Sequence, residues 1–357
     1  MIVDIHCHLA PPDAPGAPAL KDVDGFLERK AADGIDMAVV VHGIVNLPGL
    51  GPVVEYVKRW NEFALGVQAE HPDRVAVMVG VDPTAGDEML EETRRAVKAG
   101  SRGLTISSTI GGRHLDAPEL EDFWSLAEEL GVPVLVHPPV GPGDGSDPRL
   151  AEFGVRAVDV GLSVAAAIFA GVLDRHSSLR LIAAAGGGGI AALAGRLDAG
   201  YRVPELAGAA LQAGPPSGPG GPPGGPPGGP GGPPGAPGGP PGRPGGPGGP
   251  PGGPGGPPGG PGGPPGRPSG EGVPREAPSS YLRRIYVDTL LFSEAALRCT
   301  LEVFGPDRLV FGTDWPPVGV PTAASLGLIR GLDVTEDVRA GILGGNAAAL
   351  LGLSHGA

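Results

Sequence analysis

The sequence predicts an α/β chain folded as a (β/α)8 TIM barrel, and three observations carry that prediction. Eight short β-branched runs recur along the chain, helical patterns lie between them, and the runs are continuously apolar rather than alternating. Continuous apolarity marks a parallel sheet covered on both faces. Eight strand–helix units suit a closed barrel, whose usual length is about 250 residues before insertions. A doubly wound open sheet is the alternative, disfavoured because no GxGxxG follows the first run.

In chain order the expected strands are "IVDIH" (2–6), "MAVVVHG" (37–43), "VAVMVGVD" (75–82), "RGLTISS" (102–108), "VPVLVHP" (132–138), "LRLIAAA" (179–185), "RIYVDT" (284–289) and "RLVFGTD" (308–314). Between them "VDGFLERKAADG", "VVEYVKRWNEFALGVQAEH", "DEMLEETRRAVKAG" and "LEDFWSLAEELG" read as helices. Of the 357 residues, 66 are Gly and 45 Pro, and most of that excess lies in one block, 214–270. Glycine does not recur there at every third position, which excludes a collagen repeat. With almost no apolar side chains to bury, the block cannot offset its ordering entropy, and a disordered insertion with polyproline-like stretches is expected. The barrel is thus divided into 1–213 (strands 1–6) and 271–357 (strands 7 and 8 with a C-terminal helix). The insertion follows the sixth helix, on the face opposite the strand C-termini. Deleting it is expected to leave folding and metal binding intact.

The net charge of −13 and the absence of a basic run argue against nucleic-acid or membrane-surface partners. Two cysteines, Cys7 and Cys299, give no disulfide framework and suit a reducing cytoplasm. The opening "MIVDIHCHL" shows no basic segment before an apolar one, so no signal peptide is expected. No apolar run approaches the ~20 residues of a membrane span.

Chemistry in such a barrel sits where strands end at the C-terminal face. The polar residues expected there are His6 and His8 on strand 1, His42 on strand 2, His137 on strand 5 and Asp314 on strand 8. Residues i and i+2 of a strand share a face, so both imidazoles of "HCH" aim into the barrel mouth while Cys7 points into the sheet–helix layer. His6, His8, His137 and Asp314 form a nitrogen/oxygen donor set for one divalent ion, zinc first and manganese as the alternative. No lysine ends strand 4, so a carboxylated lysine bridging two metals is excluded. His71 and His176 fall in loops ahead of strands, on the opposite face. His114 lies in the loop after strand 4, and His355 in the tail.

These residues, with "HPDRVAVMVGVDP", "LVHPP", "GGGG…GRLD", "PSSYLRRIYVDT", "FGPDRLVFGTDWP" and "ILGGNAAALLGL", resemble the amidohydrolase superfamily. The resemblance is to its amidohydrolase-related branch, which holds the aminocarboxymuconate-semialdehyde, γ-resorcylate and 5-carboxyvanillate decarboxylases. It covers the chain outside the Pro/Gly block. It implies His6, His8, His137 and Asp314 as metal ligands, a small carboxylate substrate, and a homodimer. It also implies a histidine directly before the strand 6 glycines, where this chain has Ala185. Alanine neither accepts a proton nor donates a hydrogen bond, and general base help is worth about 10²–10⁴-fold. Three readings follow: His42 replaces the missing base, the metal and Asp314 suffice for a decarboxylation, or the enzyme is impaired. Accordingly a metal-dependent carboxy-lyase is expected first, with Asp314 moving the proton. A hydrolase of an amide, ester or lactone is the alternative, and a binding or scaffold barrel the third. Trp315 is a candidate wall of the pocket, and Arg196 in "GRLD" matches an arginine that the branch can present to a neighbouring subunit. The N–H groups around Gly186 and Gly187 are candidates for holding a substrate carboxylate.

Overall fold

A computed structural model describes residues 1–43, 52–139, 147–203 and 274–353. Eight strands form a single parallel sheet in the order β1 to β8. They are β1 (Val3–Cys7), β2 (Met37–Val41), β3 (Val75–Gly80), β4 (Gly103–Ser107), β5 (Val134–His137), β6 (Leu181–Ala183), β7 (Tyr286–Asp288) and β8 (Leu309–Val310). Each is followed by a helix on the outside: α1 (Val23–Ala32), α2 (Val53–Glu70), α3 (Asp87–Lys98), α4 (Glu121–Leu130), α5 (Arg156–Phe169), α6 (Ile190–Tyr201), α7 (Glu294–Phe304) and α8 (Thr322–Arg330). All eight expected strands are present. The pairing of β6 with β7 joins the two halves that flank the Pro/Gly block. That block, 214–270, lies outside the described residues. Among those residues, no helix is long and apolar enough to cross a membrane.

Two apolar layers follow from the alternation of buried strand residues. Val3, Ile5, Val39, Met78, Leu135, Ile182 and Val310 fill the barrel interior, and Leu350 and Leu351 of the last helical turn plug its base. Cys7, Val40, Val77, Val79, Leu104 and Val136 face outward and pack under the helices. Cys7 therefore points into the sheet–helix layer as expected, where its thiol reaches the Val39 carbonyl at 3.2 Å.

The first strand departs from simple alternation. Asp4 is in register with Ala38 and Cys7 with Val40, so β1 spends one more residue than β2 over that interval. Such a bulge re-aims the side chains after it. It places Ile5 in the interior layer and still delivers His6 to the mouth.

Closure between β8 and β1 is made by single bonds from the chain just past β8. Ile5 N–H donates to Phe311 O at 2.9 Å, Asp314 N–H to His6 O at 2.7 Å, and His8 N–H to Trp315 O at 2.9 Å. This corrects the expected eighth strand: β8 ends at Val310, and Asp314 stands four residues beyond it, with φ at 50°. The seam thus hands Asp314 directly to the two histidines of β1.

Strand 6 also ends early, at Ala183, and Ala185 lies outside it. Ala185 through Gly189 have φ values of 50°, 62°, 66°, 59° and 78°, a continuous left-handed turn. That conformation costs an L-residue about 1–2 kcal/mol, which explains glycine at four of the five positions. At Gly188 packing adds a second reason, since a Cβ would come within 2.2 Å of Ala157 O.

Candidate metal centre

His6, His8, His137 and Asp314 converge at the C-terminal mouth, with their ligand atoms all within 4.8 Å of one another. The three imidazole centroids form a near-equilateral triangle with sides of 5.1, 5.1 and 5.2 Å. Asp314 Oδ1 lies 2.8 Å from His8 Nε2 and 3.7 Å from His6 Nε2.

Each ring is held by its other nitrogen. His8 Nδ1 donates to Val41 O at 3.0 Å and His137 Nδ1 to Pro138 O at 2.8 Å. A carbonyl oxygen only accepts, so both rings carry a proton on Nδ1; this leaves His137 Nε2 bare, while His8 Nε2 faces Asp314 Oδ1 at 2.8 Å. His6 Nδ1 donates to Asp288 Oδ2 at 2.9 Å. The Nε2 atoms of His6 and His137 are buried without a hydrogen-bond partner among the described residues. Buried orphaned acceptors are costly, and two of them aimed with His8 Nε2 at one point beside a carboxylate are what a divalent cation satisfies. The donor set fits a metal ion, and outward Nδ1 bonds of this kind fix tautomer and ring direction in metal sites.

The charges agree with the geometry. Burial disfavours charge on His6, but Asp314 and the hydrogen bond to Asp288 outweigh it and raise its pKa. Burial, with His6 and His8 nearby, drives His137 well below the usual imidazole value. Burial alone would raise Asp314, yet the three imidazoles hold its carboxyl well below the usual range. His42 is pushed down to about 3 by burial and by His8. Gly43 and Gly80 make the room: a Cβ at either would lie 2.9 Å or less from the His8 or His42 ring.

A cavity of about 510 Å³ opens from the cluster, lined by His8, His42, Tyr56, Trp60, His137, Arg156 and Asp314. His42 stands edge-on to Trp60, with centroids 4.4 Å apart, and both its nitrogens lack a partner among the described residues. Arg156 is fixed by donation from Nε to Pro139 O at 2.6 Å and by an ion pair with Glu152. A larger hollow of about 670 Å³ lies at the other end of the barrel, beside Met1, Asp73 and Arg74, where no metal-ligating cluster stands among the described residues.

Several expected site residues are not brought here. Arg196 is exposed on α6 and does not line this cavity, as an arginine offered to a neighbouring subunit's site need not. Trp315 packs against Phe26, with ring centroids 5.7 Å apart, and the cavity wall is made by its neighbours Asp314 and Pro317. The N–H groups near the glycines are already taken: those of Ala185 and Gly186 donate to Asp288 at 3.0 and 2.7 Å, and that of Gly187 to Ala184 O at 2.9 Å. Gly186 and Gly187 therefore have no free donor for a substrate carboxylate. His114 pairs with Asp159 and His176 with Glu121 and Glu128, all away from the cluster.

Sequence reasoning missed Arg156, Tyr56 and Trp60, which reach the mouth from helices α5 and α2. It also missed Asp288, whose place at the end of β7 was a readable signal.

The chain is 23% identical over 299 residues to 2-amino-3-carboxymuconate-6-semialdehyde decarboxylase of Dictyostelium discoideum, covering 82% of this chain and 65% of that protein. It is 32% identical over 199 residues to decarboxylase orsB of Emericella nidulans, covering 47% and 56%. The chain thus spans just under two thirds, or less, of the length of these curated relatives. Among solved structures, 2,6-dihydroxybenzoate decarboxylase from Rhizobium superposes with a TM-score of 0.69 at 20% identity, covering 99% and 98% of the two chains. Dihydroxybenzoic acid decarboxylase from Polaromonas, with bound manganese and 2-nitroresorcinol, gives 0.66 at 17% identity over 99% and 97%. The amidohydrolase family model matches residues 3–222 and 262–353, so this barrel, with its histidine triangle and carboxylate, belongs to the amidohydrolase family.

Proposed function

We propose that the chain is a divalent-metal-dependent decarboxylase of a small aromatic carboxylic acid. One observation carries the reading: three imidazoles, pinned from outside, turn their Nε2 atoms to one point beside Asp314. His6, His8, His137 and Asp314 would hold zinc or manganese, whose donor preferences the set meets equally. When bound, the ion supplies Lewis acidity toward the substrate's carboxylate and an adjacent oxygen.

The chain's own residues supply the rest. Arg156 attracts the carboxylate and fixes its direction, while Trp60, Tyr56 and the neutral His42 form a wall for the ring. Asp314, ionised at rest, takes the proton of the substrate's phenolic hydroxyl and delivers it to the ring carbon that bears the carboxylate. The C–C bond then breaks, its electron pair returns to the ring, CO2 leaves, and solvent restores the hydroxyl. No water needs activating, so the small Ala185 does not block this chemistry. A hydrolase would need that activation, and Ala185 cannot give it, since a methyl group neither accepts a proton nor donates a hydrogen bond.

The two free cysteines accord with a cytoplasmic setting. The exposed apolar side chains Leu150 and Leu162, before and along α5, support the homodimer that the resemblance implies.

Metal content by plasma mass spectrometry tests the reading, with CO2 release from hydroxylated benzoates measured alongside. About one zinc or manganese per chain, lost in Asp314→Ala together with CO2 release, is expected. Failure to take up either metal on reconstitution refutes it.

A further inference from the structure

We propose that Ala185 opens a second, apolar subsite, and that the substrate is an aromatic carboxylate carrying a short alkyl chain beside its carboxyl group. The proposal rests on the decarboxylase reading and names its substrate class.

A second cavity of about 340 Å³ adjoins the first and shares Glu152, Arg156 and Asp314 with it. Away from that shared junction its wall is Phe153, Val158, Leu290, Leu291, Phe292 and Val318, closed at the cluster side by Ala185. None of these side chains offers a hydrogen-bond donor or acceptor. The cavity therefore selects for apolar groups, whereas the junction selects for negative charge and a proton-bearing oxygen.

Ala185 is a small part of that wall and is fixed in place. Asp288 holds its N–H at 3.0 Å and its φ is 50°, so its methyl group stays at the boundary between cluster and cavity. A longer side chain there would fill the space from the cluster side. Phe153 and Phe292 are 55% and 38% exposed, an apolar rim left open beside charged groups. A ligand chain covering that rim recovers free energy in proportion to the area buried.

The two cavities diverge from Arg156 and Asp314. With the carboxylate at that junction and the ring against Trp60, a substituent ortho to the carboxylate points into the second cavity. Size fits as well: a dry cavity of about 150 Å³ already admits benzene, so this one has room for a chain of several carbons. Oxygen-bearing substituents of the same length find no side-chain partner among those apolar residues and are disfavoured.

The test uses the full, manganese-loaded chain and a series of 2,4-dihydroxybenzoates with hydrogen, methyl, propyl or pentyl at the second ortho carbon. Dissociation constants come from calorimetry and turnover from CO2 release. Affinity is expected to rise about threefold to fourfold per added methylene while the chain remains inside the cavity. Val158→Trp, at a half-exposed helix position that tolerates bulk, is expected to erase that gain by filling the subsite. Equal affinity across the series overturns the proposal, as does no binding at all or a gain that persists in Val158→Trp. A clear affinity gradient without CO2 release leaves the subsite standing and removes the decarboxylase reading beneath it.

Discussion

The ends of β1 and β6 stand at the same mouth and have been equipped in opposite ways. At the end of β1, two imidazoles project inward, each braced by a carbonyl or carboxylate. Past β6, five left-handed residues carry no functional side chain, and the leading N–H groups are spent on the protein itself. One group serves both ends. Asp288 accepts from His6 Nδ1 and from the N–H groups of Ala185 and Gly186, and it is fully buried. The difference teaches that a strand end can lose its reactive side chain and still keep its shape, because the shape is held by a neighbour's carboxylate.

The strongest way to break this comparison is Asp288→Ala, which frees both ends at once. Metal affinity is expected to fall by about 10–100-fold, the usual cost of losing an outer hydrogen-bond partner of a metal-ligating histidine. Competition with a fluorescent chelator reads the change. Unchanged affinity would show that His6 needs no brace.

Lys30→Met acts on the β1 end alone. Lys30 Nζ meets Asp4 Oδ2 at 2.5 Å with both side chains buried, and Asp4 also accepts from the Thr313 N–H at 3.0 Å, next to Asp314. Removing the cation leaves an uncompensated buried carboxylate, so a loss of about 3–5 kcal/mol is expected. Urea denaturation measures it, and adding Asp4→Asn to the same chain should return part of the loss.

Ala185→Gly sharpens the β6 end with the smallest effect and the opposite sign. An alanine at φ 50° is strained where glycine is not, so the variant should gain up to about 1 kcal/mol in the same denaturation experiment. A loss would mean that the methyl group packs more favourably than its backbone costs.

The sequence made the barrel legible because each strand carries its own signal, a short continuous apolar run. His6, His8, His137 and Asp314 were legible for a related reason: strand ends of a parallel barrel share one face, so position along the chain becomes position at the mouth. What could not be read depends on contacts between distant elements. Asp4 looks like a polar interruption of β1 until Lys30, 26 residues later, is seen to neutralise it. Arg156 sits in a helix with no motif, and only the fold turns it toward the metal cluster. The glycine run reads as a tight turn, but its N–H groups look available to a substrate because their partner, Asp288, is about 100 residues away. Asp314 was placed on a strand, since nothing local reveals that β8 stops after two residues.

The seam between β1 and β8 has a consequence in time as well as in space. The candidate ligands at positions 6, 8, 137 and 314 span nearly the whole chain, so during synthesis the first two histidines emerge long before their carboxylate partner exists. An ion held by all four could be enclosed only after the ribosome has passed the Pro/Gly block and released residue 314. Such an ion would work as a clasp, tying the oldest strand to the youngest across a join that few backbone bonds secure.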